Sequence, residues 1–310
     1  LTARPIISEK MYLRLSSDES AIQDVFRAFF ETECSIERVR GASQLGFDAD
    51  AWSRLAETGA PGMCLPENIG GGGAPLTTGA IVADLVGTYI APLPFIEHLT
   101  TSRLLSKVAP NHEELPLLAS GEKIGTMGLQ PQAGSASNLI PAGAIAHTVI
   151  MFDGDNLLLE TTGKSTRHVP NTADLPLANQ SLGSGDLIAS GEKAKQAFFQ
   201  ARSEWQALMA VALSGLGKKA VDLGVTYAKE RYQFDVLIGS FQALQHGFAS
   251  AITDVEGAYF LSNRAISALE TQNESAETLA GMAFLFASEA AIAAAATSLQ
   301  YHGGYGFAEE

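Results

Sequence analysis

Two stretches decide the reading of this chain. Residues 227–235 run Tyr227-Ala228-Lys229-Glu230-Arg231-Tyr232-Gln233-Phe234-Asp235, and residues 300–307 run Gln300-Tyr301-His302-Gly303-Gly304-Tyr305-Gly306-Phe307. Each closes a long apolar periodicity. Ahead of the first, Trp205, Leu208, Ala212, Leu216, Ala220, Leu223 and Tyr227 recur at the spacing of one helix face. Ile238-Gly239-Ser240-Phe241-Gln242 and Gln245-His246 follow it and open a second stripe, Phe241, Leu244, Phe248, Ile252, Val255, Tyr259, Ile266 and Leu269. Asn273–Glu277 is a polar turn, and a third helix is predicted from about Ser275 to Leu299. Three long amphipathic helices with short links predict a bundle from about Ala197 onward.

Upstream of the bundle the period changes. Ala146–Phe152, Asp153-Gly154-Asp155 and Asn156–Glu160 read as a hairpin with a type I′-like turn, and Gly, Pro, Ser and Thr punctuate the rest of 120–191. The first 119 residues are predicted helical. Ser16 and Glu19 have capping-box spacing ahead of Ile22, Val25, Phe26, Phe29 and Phe30, and Asp48 or Asp50 can cap a short helix carrying Trp52 and Leu55. Further helices are expected with Val82, Leu85, Val86 and Tyr89 inward, and over about Glu97 to Val108. Leu65–Gly73 is a glycine-rich loop. The predicted fold class is therefore mostly α with a small β domain: a helical domain at 1–119, a reduced β domain at 120–196 and a helical bundle at 197–310.

Composition narrows the function. The chain has 310 residues, 46% hydrophobic and 17% charged, which is enough for a large core. Its formal net charge of −14, with no run of basic residues, excludes a nucleic-acid partner. A few placed cations and helix N-termini still suffice for one anionic ligand. Cys34 and Cys64 suit packing in a reducing compartment rather than a disulfide framework or a metal site. Ala283–Leu299, the most apolar stretch, includes Glu289 and reads as a buried helix rather than a membrane span. A soluble, cytoplasmic protein with no metal is expected.

The ordered set Arg231-Tyr232-Gln233-Phe234, Phe241-Gln242 with Gln245, and Gln300 with Gly303-Gly304-Tyr305-Gly306-Phe307 resembles the R-x-Q-F-G, F-Q-x-x-Q and Q-x-x-G-G-x-G-[YF] segments of the acyl-CoA dehydrogenase family. Leu45-Gly46-Phe47, Trp52, Leu65-Pro66-Glu67 and Gly70–Gly73 match that family's first helical domain, so the resemblance spans nearly the whole chain. It implies an acyl-CoA dehydrogenase-like fold, with a barrel-like middle domain and a four-helix-type bundle, and FAD as cofactor. It further implies that Arg231, Gln233, Phe234, Gln242, Gln300, Gly303 and Gly304 bind the ADP half of a flavin whose ring sits in a neighbouring subunit. The residue types suit that task. Arg231 offers a fork of donors to a diphosphate, and the glycines let backbone amides approach it. His302 reads as a loop hydrogen-bonder.

The ring half departs from the family. Its T-E-P-x-A-G-S-D segment falls on Gln130-Pro131-Gln132-Ala133-Gly134-Ser135-Ala136, and its W-I-T-N-G segment on Leu139-Ile140-Pro141-Ala142-Gly143. Proline brings no N–H and leucine no aromatic ring. The glutamate base that most members place beyond the glycine loop has no counterpart before Glu309-Glu310, and neither of those is assigned to catalysis. No catalytic residue is therefore named. The pattern is similar to the shorter subunit of heterotetrameric acyl-CoA dehydrogenases of the steroid side-chain type. It implies a homologous catalytic partner in an α2β2 assembly, an acyl-CoA substrate and an electron-transfer flavoprotein or similar acceptor. A homotetrameric enzyme whose catalytic tail lies beyond residue 310, and a scaffold subunit without flavin contact, are the alternatives.

Overall fold

The computed structural model of the protein describes residues 15–132, 137–161, 168–181 and 185–308. Helix α1 (Ser17–Glu33) opens with the expected capping box: Ser16 Oγ accepts from the Glu19 amide at 3.2 Å and Glu19 Oε2 from the Ser16 amide at 2.8 Å. A short α2 (Ile36–Gly41) leads to α3 (Ala49–Glu57), whose cap is Asp48; its Oδ1 accepts from the Ala51 amide at 2.9 Å. Trp52 and Leu55 of α3 are buried as expected. Next come α4 (Leu76–Thr88), α5 (Phe95–Val108) and the short α6 (Glu114–Ala119). Helix α5 starts two residues before the predicted Glu97, because Pro94 at its cap needs no donor of its own.

The β unit holds two small sheets. Strands β1 (Gly125–Met127), β3 (Thr148–Phe152), β4 (Asn156–Thr161) and β6 (Asp186–Ser190) form one in the order β1-β3-β4-β6, with β1 parallel to β3 and the other pairs antiparallel. Strands β2 (Ser137–Ile140) and β5 (Ala178–Ser181) pair antiparallel in the other. The predicted hairpin is β3–β4, but its turn is not type I′. Only Gly154 has positive φ, at 107°, whereas type I′ needs it at both central residues. Asp153 Oδ1 instead accepts from the amides of Asp155 (2.8 Å) and Asn156 (2.6 Å), so a side chain does part of the turning.

The bundle is built on α7 (Gly191–Glu230), a helix of 40 residues. It begins six residues before the predicted Ala197, because its polar first turn carries no apolar period. A two-stranded ribbon of β7 (Tyr232–Gln233) and β8 (Val236–Leu237) leads into α8 (Gln242–Glu270), and α9 (Ala276–Tyr301) completes the bundle. The second predicted stripe is close to correct, with Phe248, Val255, Ile266 and Leu269 buried. The first holds at Leu208 and Ala212, which are buried, but not toward its C-terminal end, where Leu223 is exposed and the seam of α7 runs through Gly217, Val221, Gly224 and Ala228. The reason is close approach: a Cβ on Gly224 would lie 2.7 Å from the Phe248 ring and 2.8 Å from Ser298 Oγ. Helices that meet at such distances leave room only for small residues.

Helix α9 also corrects an expectation. At 26 residues it is long and apolar enough to cross a membrane by length and composition, yet it packs on α7 and α8 through Ala280, Ala283, Ala287, Ala290, Ala291 and Ala294. Only a third of its most apolar window is buried, so it is not the buried helix predicted. Its outward face presents Met282, Leu285, Ile292 and Leu299. Among the described residues no His, Cys, Asp or Glu group is arranged for a metal ion. Both cysteines are free and buried, and burial pushes their thiols up to about 12 (Cys34) and about 11 (Cys64).

Two buried polar groups lock the domains together. Glu204 of α7 takes Arg103 Nε at 2.8 Å and Lys107 Nζ at 2.6 Å from α5, and Arg103 also donates to the Cys64 carbonyl at 3.0 Å. Burial pushes the Glu204 carboxyl up, but the two cations outweigh it and hold the carboxyl below its ordinary range. His98 of α5 is fully buried, with Nδ1 accepting from the Gly125 amide at 3.2 Å and Nε2 donating to the Leu118 carbonyl at 3.0 Å. Burial lowers its pKa from 6.5 to about 4.

Two expectations follow from these contacts. Gly224→Val should lower unfolding free energy by roughly 1–3 kcal/mol in urea titration, since the added methyls must push Phe248 and Ser298 aside. For His98 the unfolded chain binds a proton near 6.5 and the folded chain near 4, so folding stability is lost as pH falls between them. The stability difference between wild type and His98→Gln, which cannot titrate, should shrink by about 3 kcal/mol from pH 7 to 4. A constant difference would show that the buried ring does not set this dependence.

Candidate cofactor site at the end of the bundle

The C-terminus of α7, the ribbon, the start of α8 and the end of α9 enclose a cavity of about 760 Å³. Arg231 caps α7 with its amide bonded to the Tyr227 carbonyl at 2.9 Å, then turns to extended backbone and starts the ribbon. Tyr232 pairs with Leu237 and Gln233 with Val236. Phe234 and Asp235 form the turn, both with positive φ, 55° and 61°. A primed turn made of two residues with side chains is strained. It holds Phe234 outward, 86% exposed and edge-on to Phe241 at 6.4 Å between ring centres.

The far wall comes from α9 and the 3₁₀ turn Gly303–Phe307. Gly303 has φ 62°, the left-handed conformation that favours glycine after a helix. Gly304 does not, and nothing lies within 4 Å of where its Cβ would be. By contrast Gly306 is needed internally, since its Cβ would collide with the Leu299 carbonyl. Gly304 thus lines the cavity with open space at its Cβ position.

Six of the seven residues expected here, Arg231, Gln233, Phe234, Gln300, Gly303 and Gly304, line this one cavity. Gln242 does not. It is the first residue of α8, exposed, and its neighbours Phe241 and Leu244 supply the lining instead. Sequence reasoning missed the aromatic frame. Tyr227 and His302 stack at 4.4 Å, His302 Nδ1 donates to the Ser298 carbonyl at 2.7 Å, and Arg231 lies over the Tyr305 ring at 5.3 Å. His302 is thus held as a loop hydrogen-bonder. The four-residue spacing of Ser298 and His302, and Tyr227 one turn before Arg231, were the available signals.

Chemically the cavity presents one guanidinium with no carboxylate partner among the described residues, two amides, flat apolar rings and an open glycine backbone. Its lining contains no Asp or Glu. Such a set can bind a diphosphate and a planar heterocycle but has no carboxylate to take a proton from carbon. FAD's ADP half fits it on those grounds.

The segment expected to grip a flavin ring has a different fate. Pro141 uses its carbonyl to accept from Thr126 Oγ1, and the Ala144 amide donates to the Pro176 carbonyl at 3.0 Å. Residues 172–177 thus pack beside Pro141 and Ala142, and Leu139 is exposed. At these positions Pro141 offers no N–H and Leu139 no aromatic ring. Ala133–Ala136 and Glu309-Glu310, also singled out in the sequence, lie outside the described residues.

Comparison with known proteins identifies two matching family domains. The acyl-CoA dehydrogenase N-terminal domain matches residues 16–109, and the acyl-CoA dehydrogenase C-terminal domain matches residues 201–310. Acyl-CoA dehydrogenase IpdE2 of Mycolicibacterium smegmatis is 32% identical over 294 residues, covering 94% of this chain and 88% of the relative. The ChsE4–ChsE5 complex from Mycobacterium tuberculosis superposes with a TM-score of 0.83 at 20% identity, covering 96% of this chain and 90% of the other. A Tcur3481–Tcur3483 steroid ACAD variant superposes at 0.84 with 22% identity, covering 93% and 88%. With both domain families matched and a relative aligned along nearly its whole length, the chain belongs to the acyl-CoA dehydrogenase family, whose cofactor is FAD.

Proposed function

We propose that this chain is a non-catalytic subunit of an FAD-dependent acyl-CoA dehydrogenase, completing in trans the ADP half of a catalytic partner's flavin site. The observation that carries the reading is the cavity at the end of the bundle. It keeps Arg231 and the open Gly304 backbone, has no carboxylate in its lining, and includes the exposed aromatics Phe234, Phe241 and Tyr305. Bound FAD supplies the hydride acceptor for α,β-dehydrogenation of an acyl-CoA thioester. This chain's own residues orient and neutralise the diphosphate: Arg231 by charge, Gly303 and Gly304 by backbone approach, Gln233 and Gln300 by neutral hydrogen bonds, and Phe234 by apolar contact.

Two further features support a partner subunit. The outward face of α9, with Met282, Leu285, Ile292 and Leu299, is an apolar surface of the kind that subunit contacts cover. The packing of 172–177 beside Pro141 makes independent binding of the flavin ring by this chain unfavourable. The pairing in the ChsE4–ChsE5 complex, and the steroid class named for the Tcur3481–Tcur3483 protein, support a heteromeric α2β2 assembly acting on a bulky acyl-CoA. An electron-transfer flavoprotein or similar carrier would accept the electrons.

The test is flavin occupancy. Expressed alone, the chain should purify nearly colourless, and co-expressed with its full-length family partner it should give a yellow complex. Stoichiometric FAD on the isolated chain would sink the reading. Within the complex, Arg231→Ala should weaken FAD binding by about 10- to 100-fold, the worth of a charge-assisted hydrogen bond. Gly304→Val should weaken it comparably while leaving the melting temperature of the chain unchanged, because the position is open. Unaltered occupancy in both variants would favour a scaffold subunit instead.

A further inference from the structure

Along α9 the exposed apolar residues keep a strict spacing. Leu285, Ile292 and Leu299 are seven residues apart, and Met282, Glu289 and Ala296 each stand three residues before one of them. That is the pattern of a helix that packs on another helix, and from Met282 to Leu299 it runs about 25 Å. Buried alanines hold the opposite face of α9 against α7 and α8, so this seam points away from the chain's own core. Ile292 is 71% exposed and Leu285 62%, so no described part of the chain covers it. The seam ends at Leu299, one residue before Gln300, which lines the cofactor cavity. A subunit that brings a ligand to that cavity already lies beside it.

One position breaks the apolar pattern. Glu289 is exposed in the middle of the seam and has no ion pair among the described residues. Apart from Glu277 in the first turn it is the only charged residue of α9, which has no Lys or Arg. Under an apolar cover its carboxylate would lose water and gain no partner, which is strongly unfavourable. A second copy of this chain fits badly for the same reason. Two copies paired along the whole seam bring the two Glu289 side chains together near its centre, with no cation on either α9 to neutralise them. The formal net charge of −14 adds repulsion at longer range. A bilayer is disfavoured too, because acyl chains offer the carboxylate nothing.

We propose that this seam docks a helix of the catalytic partner subunit that carries apolar side chains and one Lys or Arg opposite Glu289, and that Glu289 selects this partner over a second copy of the chain. The proposal rests on the half-site reading and says which face carries the subunit contact. A lone polar residue in an apolar helix seam sets the choice of partner at some cost in affinity. A cation opposite Glu289 removes the penalty that a self-pair would keep. The apolar positions on both sides supply the buried area and exclude water from the pair.

The experiment measures self-association of the full chain by sedimentation equilibrium, and its assembly with the co-expressed full-length partner by light scattering across a dilution series. Glu289→Leu should tighten self-association of the isolated chain at least about tenfold, whereas Ile292→Asp should not. In the complex, Ile292→Asp should weaken assembly about tenfold or more without lowering the chain's melting temperature, since the position is exposed. Glu289→Lys, which sets like charge against the partner's cation, should weaken it more than Glu289→Gln does. A Glu289→Leu chain no more associated than wild type, or a complex indifferent to Ile292→Asp, would overturn the proposal. So would wild-type dimers, or binding to phosphatidylcholine vesicles, that Ile292→Asp abolishes. Flavin occupancy separates the two readings. A complex lost in Ile292→Asp but with occupancy unchanged in Arg231→Ala keeps the docking face and removes the half-site, and the reverse pattern removes the docking face alone.

Discussion

The cofactor cavity depends on how closely three helices meet at the end of the bundle. Gly224 lets Phe248 of α8 and Ser298 of α9 press against α7, and Phe248 in turn packs edge-on against Tyr301 at 4.9 Å. Gly247 lies under the Tyr301 hydroxyl with no room for a side chain. These contacts bring Arg231 and the Gln300–Gly304 segment to one cavity although they lie far apart in the chain. A residue larger than glycine at position 224 would press on Phe248 and Ser298 and push the helices apart at this end of the bundle. Farther along α7, the Glu204–Arg103–Lys107 cluster ties the same helix to α5, so the bundle's orientation is passed on to the N-terminal helices.

Ordinary folding would bury Phe234, Phe241, Tyr305 and Phe307, yet all four remain exposed at the end of the bundle that holds the cofactor cavity. Holding Phe234 out takes a primed turn with two non-glycine residues, a conformation that disfavours the isolated chain. A chain optimised to stand alone would have glycine there and a smaller aromatic at the tip. The arrangement makes sense where a second surface covers the rings, and α9 carries a further apolar face of the same kind.

Much of this was legible in the sequence, because local rules act over a few residues. The Ser16–Glu19 capping box, the Asp48 cap, the hairpin at 153–155 and the three bundle helices all follow from spacing alone. What was not legible depends on approach distance between helices. The C-terminal half of the α7 seam was read through leucines, because periodicity scores size and hydrophobicity, whereas the actual seam there selects the smallest residues. Helix α9 was read as buried because its composition is apolar all round, and composition does not tell a core from an uncovered interface. At the site, six of seven residues came together, while Gln242 begins α8 exposed and Phe241, the extended residue before it, lines the cavity instead. The Tyr227–His302 stack joins residues too distant in sequence for any local rule.

Backbone strain separates the built cavities from incidental grooves. Among the described residues, six without glycine's freedom have positive φ, and five of them, Phe234, Asp235, Ile90, Ala142 and Asp174, sit at the ribbon turn or in the lining of a second cavity, where the α4–α5 connection meets residues 172–177. Each disfavours the folded chain by about 1–3 kcal/mol unless contacts nearby offset it. A chain with only marginal net stability does not keep such positions by chance in two clusters. Packing alone would relax Ile90 or Asp174 by a small loop shift, since the chain is exposed at both. At the ribbon the strained turn places Phe234 in the lining of the cofactor cavity, and the second cavity is lined by Arg40, Glu97 and Asp174 as well as by apolar residues. The two strained clusters therefore mark two separate cavities that share no lining residue.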